Sequence, residues 1–194
     1  LRPINGALNI ACLAEKSGFQ FLFLPKDNAV EAAAIKNLKI VPVVNLEELI
    51  DFLENRKEID FQKPIDFQVN QELSAVDISE IKGQESAKRA LAVAAGGGHN
   101  ILMSGSPGSG KTMLAQALAS ILPPPSLEEA IEMTRIYSAA GVLGEHSVVN
   151  FRPFHSPHQS ASLVSVIGGG ANPKPGEISL AHRGVLFLDE IPEF

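Results

Sequence analysis

Eight consecutive residues carry the most specific chemistry in this 194-residue chain: Gly105, Ser106, Pro107, Gly108, Ser109, Gly110, Lys111 and Thr112. They satisfy, at every fixed position, the pattern of a glycine, four residues and then Gly-Lys-Thr. Glycines let the backbone wrap closely around a polyphosphate and turn its N–H groups inward. A helix beginning at the lysine presents its positive end to the same oxygens. In that arrangement Lys111 reaches the β- and γ-phosphates and the Thr112 hydroxyl ligates Mg2+.

A second signal lies near the end of the chain, in Val185-Leu186-Phe187-Leu188-Asp189-Glu190. Four apolar residues predict a central strand whose C-terminal end carries two carboxylates, the end at which open α/β sheets bind ligands. Asp189 is placed to hold Mg2+ through its water shell, and Glu190 to polarise an attacking water as a general base. An apolar run ending in acids is weak evidence alone. Together with a phosphate loop it points to ATP hydrolysis, with ATP and Mg2+ as cofactors.

These residues need elements to hold them. The segment NILMSG (100–105) reads as an apolar strand feeding the loop, and KTMLAQALASIL as the helix behind it, halted by Pro123–Pro125. A helix in QESAKRALAVAA precedes the strand and ends in the Gly96-Gly97-Gly98 run. Another follows in SLEEAIEMTRIYSAA, with Ser126 and Glu129 at capping-box spacing. Residues 1–56 alternate helix and strand: ALNIACLAEKSG with Gly18 at its end, FQFLFLP stopped by Pro25, AVEAAAI, LKIVPVV, and LEELIDFLENRK capped by Asn45. In that last helix Leu46, Leu49, Ile50 and Leu53 form an apolar stripe. The pattern is α/β, with too few elements in 1–56 to cover a sheet by themselves. Residues 57–79 are polar and proline-interrupted and read as a linker, which leaves 80–194 as the nucleotide-binding part.

Composition narrows the field. With 45% hydrophobic residues the chain can bury a core, which excludes a disordered tail. A net charge of −6 excludes a general basic coat for nucleic acid or anionic lipid. The single Cys12 excludes an internal disulfide framework and fits a reducing, cytoplasmic setting. No apolar run reaches the roughly 18 residues of a membrane span. The chain starts at Leu1 and reads as a fragment.

The stretches ISEIKGQESAKRALAVAAGGGHNILMSGSPGSGKTMLAQALASILPP and NPKPGEISLAHRGVLFLDEIPEF closely resemble the AAA+ module of magnesium-chelatase-like proteins of the competence ComM (YifB) type, from about Val76 to Phe194. The resemblance implies a P-loop parallel sheet, truncated here, and places Ile81, Gly83 and Gln84 where AAA+ proteins wrap the adenine. It matches Ser162–Arg183 to the second helix with its inserted loop. It implies a ring-forming ATPase, a hexameric homo-oligomer in the full-length protein, acting on DNA as a branch-migration helicase. Residues 1–56 are similar to the end of a Lon-protease-like domain. Where active Lon proteases read Gly-Gly-Leu-Lys-Glu-Lys, this chain has Gly6-Ala7-Leu8-Asn9-Ile10-Ala11, so the part reads as a non-proteolytic scaffold. AAA+ sheets place a fourth strand between the phosphate-loop strand and the acidic strand. The chain stops before it, so the expectation is unpaired backbone between the two signals and little turnover by these residues alone.

Other reactive residues carry weaker patterns. His155 and His158 lie three apart without a marked third ligand, and read as part of a polar loop. Arg152 and Arg183 could meet DNA or a neighbouring subunit, but a lone arginine usually makes an ordinary hydrogen bond. His99 and Asn100 read as turn residues, Cys12 as a small core residue, and His146 and His182 carry no pattern. Three alternatives stay open: a chelatase motor driving metal insertion, an ATP-dependent protease disfavoured by Asn9 and Ala11, and a non-catalytic nucleotide-binding scaffold.

Overall fold

A computed structural model of the chain describes residues 1–65, 67, 76–144 and 148–193. It is a mixed α/β structure with small, mainly parallel sheets. The chain divides into two compact units, Leu1–Gln68 with Ala130–Val149, and Val69–Glu129 with Asn150–Phe194. His146 and the middle of the expected linker, 68–75, lie outside the described residues.

In the first unit, α1 (Ala7–Lys16) is followed by β1 (Phe21–Pro25), α2 (Lys26–Ala32), β2 (Lys39–Val43) and α3 (Leu46–Leu53). α1 stops as Gly18 predicts. Gly18 takes φ +77°, its N–H donates to the Glu15 carbonyl at 3.0 Å, and the Phe19 N–H donates to the Ala14 carbonyl at 3.0 Å. β1 and β2 pair in parallel over five residues each, from Phe21 opposite Lys39 to Pro25 opposite Val43. Ile40, Val41 and Val43 are buried together with Leu8, Ala11 and Leu24, so the β-branched strand and the small face of α1 form the core. α2 begins three residues before the predicted AVEAAAI helix. Pro25 occupies its N-cap with φ −50°, a value the ring enforces, and the helix starts directly behind it. The Asn28 side chain then acts as a peptide would, accepting from the Ile4 N–H at 2.9 Å and donating to the Ile4 carbonyl at 2.8 Å.

Asn45 caps α3 through its side chain, which accepts from the Glu48 N–H at 2.8 Å. Asn9, at the position where the Lon resemblance puts a lysine, makes an amide clasp. It donates to the Arg135 carbonyl at 2.8 Å and accepts from Arg135 Nε at 2.8 Å. Cys12 on α1 is half-buried, and burial pushes its thiol pKa up, the opposite of activation.

In the second unit, a 3-10 turn (Ile78–Glu80) leads to α4 (Glu85–Gly97), α5 (Lys111–Ile121) and α6 (Leu127–Ala140), the last contributing most of its length to the first unit. Then come β3 (Phe154–His155), α7 (Leu163–Ile167), β4 (Gly168–Gly169), β5 (Lys174–Pro175), α8 (Glu177–Leu180) and β6 (Val185–Leu186). β3 and β6 are parallel neighbours, and β4 and β5 an antiparallel pair. Ile81, Leu91, Ala95, Leu114, Ala117 and Leu118 form the core cluster, with Ile101, Met103 and Val185 packed against it. The capping box at α6 is formed in both directions. The Glu129 N–H donates to Ser126 Oγ at 3.2 Å, and the Ser126 N–H donates to Glu129 Oε2 at 3.0 Å.

Two expected strands differ from their prediction. Residues 100–105 form no ladder among the described residues. Ile101 and Met103 pack on the core while Leu102 is 81% exposed, so the segment keeps the period of a strand with one face in contact. The predicted four-residue strand at 185–188 is a two-residue ladder, and all four side chains are half-buried. Hydrophobicity foretells the extended backbone of both segments. A ladder also needs a partner strand, and β6 has one neighbour, β3, among the described residues.

Candidate nucleotide-binding site

The loop at 105–110 is shaped by backbone that only certain residues tolerate. Gly108 has φ +75° and Gly110 φ +88°, and Gly110 is the N-cap of α5. No atom lies within 4 Å of where a Cβ would stand at either position, so these two glycines are required by conformation rather than crowding. A Cβ at Gly105 would meet Ser109 Oγ at 3.0 Å, across the inside of the turn. The Ser109 N–H donates to the Ser106 carbonyl at 3.3 Å and closes the loop.

Lys111 is the first residue of α5, and its Nζ donates to the carbonyls of Gly105 and Ser106 at 3.1 Å each. The ammonium is therefore held over the loop at the end of the helix where unpaired N–H groups and the dipole favour an anion. Thr112, the next residue, is exposed. Leu114, Ala117 and Leu118 on the opposite side of α5 are buried in the core, so packing fixes the helix that carries the lysine.

Gly83 and Gln84 lie in the left-handed region, at φ +68° and +58°, where the chain turns into α4. Gln84 Nε2 donates to the Ser109 carbonyl at 3.4 Å, which ties this turn to the loop. Ile81 spends its side chain in the core cluster.

Asp189 and Glu190 follow β6 and are both exposed. Glu190 has φ +53°, a costly value for a residue with a side chain, and its N–H donates to Asp189 Oδ1 at 3.1 Å. The root of the same strand is held closely. The Val185 N–H donates to the Pro153 carbonyl and the Phe187 N–H to the His155 carbonyl, both at 2.8 Å. A Cβ at Gly184 would stand 2.1 Å from the Pro153 oxygen. Val185 also packs on the cluster built from α4 and α5. The loop and the acidic strand end thus share one core, while Lys111 bonds the loop carbonyls rather than either carboxylate.

The residues present fit a magnesium–triphosphate group. The loop offers a turn of glycines, an ammonium and a helix start to phosphate oxygens, and Thr112 and Asp189 are the hard oxygen donors that Mg2+ prefers. No group of three or more His, Cys, Asp or Glu able to hold a metal occurs among the described residues. His155 lies on β3 rather than in the polar loop expected of it and pairs with Glu177 at 2.6 Å, while His158 meets Ser160 Oγ at 2.7 Å.

Sequence reasoning gives no role to Glu129 beyond its cap, and leaves Arg152 as a lone arginine. Arg152 Nη2 meets Glu129 Oε2 at 2.9 Å, and Arg183 Nη1 lies 3.6 Å from Glu129 Oε1. The N–H of Ser126 and then the Arg152 guanidinium hold the Glu129 carboxyl below its usual range. Nothing in the spacing of these residues signals the group, because 23 positions separate Arg152 from Glu129.

Residues 77–194 match the family described as magnesium chelatase, subunit ChlI. Over all 194 residues the chain is 45% identical to the protein YifB of Escherichia coli K12, covering 38% of that protein. It is 42% identical over 199 aligned residues to the competence protein ComM of Haemophilus influenzae, covering 100% of this chain and 38% of ComM. A part of it, 45% of its length, is 33% identical over 98 residues to the archaeal Lon protease of Thermococcus kodakarensis, covering 15% of that protein. The chain thus spans well under half the length of these relatives.

Proposed function

The chain belongs to the magnesium chelatase, subunit ChlI, family, and from that premise we propose that it carries the ATP-binding and ATP-hydrolysing site of an AAA+ motor. The observation that carries this reading is the loop itself: Gly108 and Gly110 in left-handed backbone, and Lys111 at the head of α5 with its ammonium over the loop. Backbone N–H groups of 105–110, Pro107 excepted because it has none, and Lys111 bind the triphosphate. Gly83 and Gln84 line the adenine side, with only the backbone of Ile81, whose side chain is committed to the core and not to the adenine. Thr112 and Asp189 hold Mg2+, whose charge offsets that of the phosphates. Glu190 orients water and accepts its proton, the role that makes the site hydrolytic.

The finer reading extends to the whole protein. Residues 80–194 form the first half of the AAA+ domain with its P-loop sheet, 57–79 a linker, and 1–56 the end of a Lon-like domain without proteolytic lysines. From the resemblance of residues 76–194 to ComM-type AAA+ modules we propose that the whole protein acts on DNA as a cytoplasmic, hexameric homo-oligomer; the chain is similar along its full length to a protein named for competence. No described helix is long and apolar enough to cross a membrane.

The test uses the full-length protein. Lys111→Ala is expected to weaken ATP binding by at least about 100-fold, the scale of losing one preorganised donor to phosphate charge. Glu190→Gln is expected to bind ATP normally and to lose about 100-fold or more in turnover. Unchanged binding and turnover in Lys111→Ala would overturn the reading. Stimulation of turnover by DNA, or instead by a chelatase partner, separates the DNA motor from the metal-insertion motor.

A further inference from the structure

Arg152 has 12% of its side chain exposed, and each of its three guanidinium nitrogens donates to the protein. Nε donates to the Pro123 carbonyl at 2.7 Å, and Nη2 donates to Glu129 Oε2 at 2.9 Å and to the Pro124 carbonyl at 3.4 Å. Nη1 donates to the Arg183 carbonyl at 3.0 Å. Pro123 and Pro124 close the exit of α5, the helix that begins at Lys111. Arg183 stands at the entrance to β6, the strand that runs to Asp189 and Glu190. One planar fork therefore joins the far end of the phosphate-loop helix to the root of the acidic strand.

We propose that Arg152 is a positioning residue for the site, setting the register of β6 and through it the placement of Asp189 and Glu190. The inference deepens the ATPase reading and rests on it. Three features of the strand root make a side-chain clamp necessary. First, the ladder between β3 and β6 is only two residues long, so main-chain pairing alone defines the register weakly. Second, Arg183 has φ +59°, and such a conformation persists only where the surroundings impose it. Arg152 bonds the carbonyl of that very residue. Third, Pro153, the neighbour of Arg152, accepts from the Val185 N–H at 2.8 Å and leaves no room for a Cβ at Gly184. Residues 183–185 are thus gripped by the side chain of Arg152 and by the backbone beside it.

Glu129 completes the clamp. Its carboxylate supplies the counter-charge to the partly buried guanidinium, and it is itself fixed by the Ser126 N–H and faced by Arg183. A lysine cannot replace the arginine here, because an ammonium lacks the planar fork that meets three carbonyls and a carboxylate together. The head of α5 depends on a different support, the packing of Leu114, Ala117 and Leu118, so loss of the clamp reaches the acidic end before the phosphate loop.

The experiment compares Arg152→Lys, Arg152→Gln and Glu129→Gln with the unaltered full-length protein. Measured quantities are kcat, KM for ATP, the Mg2+ concentration giving half-maximal turnover, and the thermal midpoint. Arg152→Lys is expected to stay folded with KM for ATP within about twofold, while kcat falls about tenfold or more, the scale of a misplacement near 1 Å. Half-maximal Mg2+ shifts upward, because Asp189 is displaced while the loop still binds. Glu129→Gln shows the same split in smaller measure, and carries the test together with Arg152→Lys if Arg152→Gln fails to fold. An Arg152→Lys protein with unaltered kcat and Mg2+ response overturns the proposal. So does one in which turnover and ATP binding fall equally with the folded fraction. Failure of the ATPase reading itself would appear in Lys111→Ala, whatever the arginine variants do.

Discussion

The β1–β2 region and the β3–β6 region solve the same problem, holding two parallel strands in register, by different means. β1 and β2 run together for five residue pairs, and Ile40, Val41 and Val43 of β2 are buried. β3 and β6 share two pairs. Around that short ladder stand a partly buried arginine, a carboxylate with a lowered pKa and a glycine whose place a Cβ could not take beside a carbonyl oxygen. Of the four non-glycine residues with positive φ among those described, Asn55 is in the first unit and the other three are in the second, Gln84 and Glu190 at the proposed site and Arg183 at the root of β6. Regular pairing gives stability through many equivalent bonds. A site needs particular atoms in particular places, and here that is done by single side chains bonded to carbonyls, together with local backbone strain.

The sharpest way to break the contrast is at Gly184. Alanine there puts a methyl 2.1 Å from the Pro153 oxygen, a backbone atom that cannot rotate away. The expected cost is about 3 kcal/mol of stability in denaturant unfolding, at the upper end for overpacking, with ATP turnover reduced in the protein that stays folded. An unchanged unfolding midpoint would show that the strand root is looser than the structure has it.

A smaller effect is expected at the end of the first unit's β-α-β run. Asn45→Ala removes the cap of α3 and should cost about 1 kcal/mol, read as a lower thermal midpoint, while the β1–β2 ladder persists in amide exchange. Loss of protection along Lys39–Val43 would show that this ladder depends on its cap, and would erase the contrast with β6.

The third effect is a pH dependence. Because Glu129 is held below the ordinary glutamate value of 4.5, it binds a proton less readily folded than unfolded. Its contribution to stability is therefore full above that value and is lost as pH falls through the lower folded one. Comparing unfolding of the unaltered protein with Glu129→Gln between neutral pH and pH 3 should show the difference between them shrinking toward the acid end. A difference that stays constant with pH would remove the charge from the account of the clamp.

Features encoded over a few neighbouring residues are legible in the sequence. Gly18 and Asn45 end and begin their helices as their types predict, and Ser126 with Glu129 forms its capping box in both directions. The phosphate loop stands out because its chemistry depends on contiguous residues. The apolar segments at 100–105 and 185–188 are recognisable as extended, but the extent of their pairing is not, since a ladder belongs to two strands and the sequence of one says little about its neighbour. The second part played by Glu129 is hidden in the same way: its bond to Ser126 spans three residues, its bond to Arg152 spans 23.

Sequence alone therefore determined the α/β character, the helix ends marked by Gly18, Asn45 and Ser126, and a glycine-rich turn that presents Lys111 at a helix start, because local sterics and hydrogen bonding decide these within a few residues. Tertiary structure alone decided that β6 has a two-residue ladder, that Gly184 must lack a side chain, and that Arg152 spans from the exit of α5 to the entrance of β6. Those outcomes depend on distances between segments remote in the chain, and no local preference of the backbone can specify them.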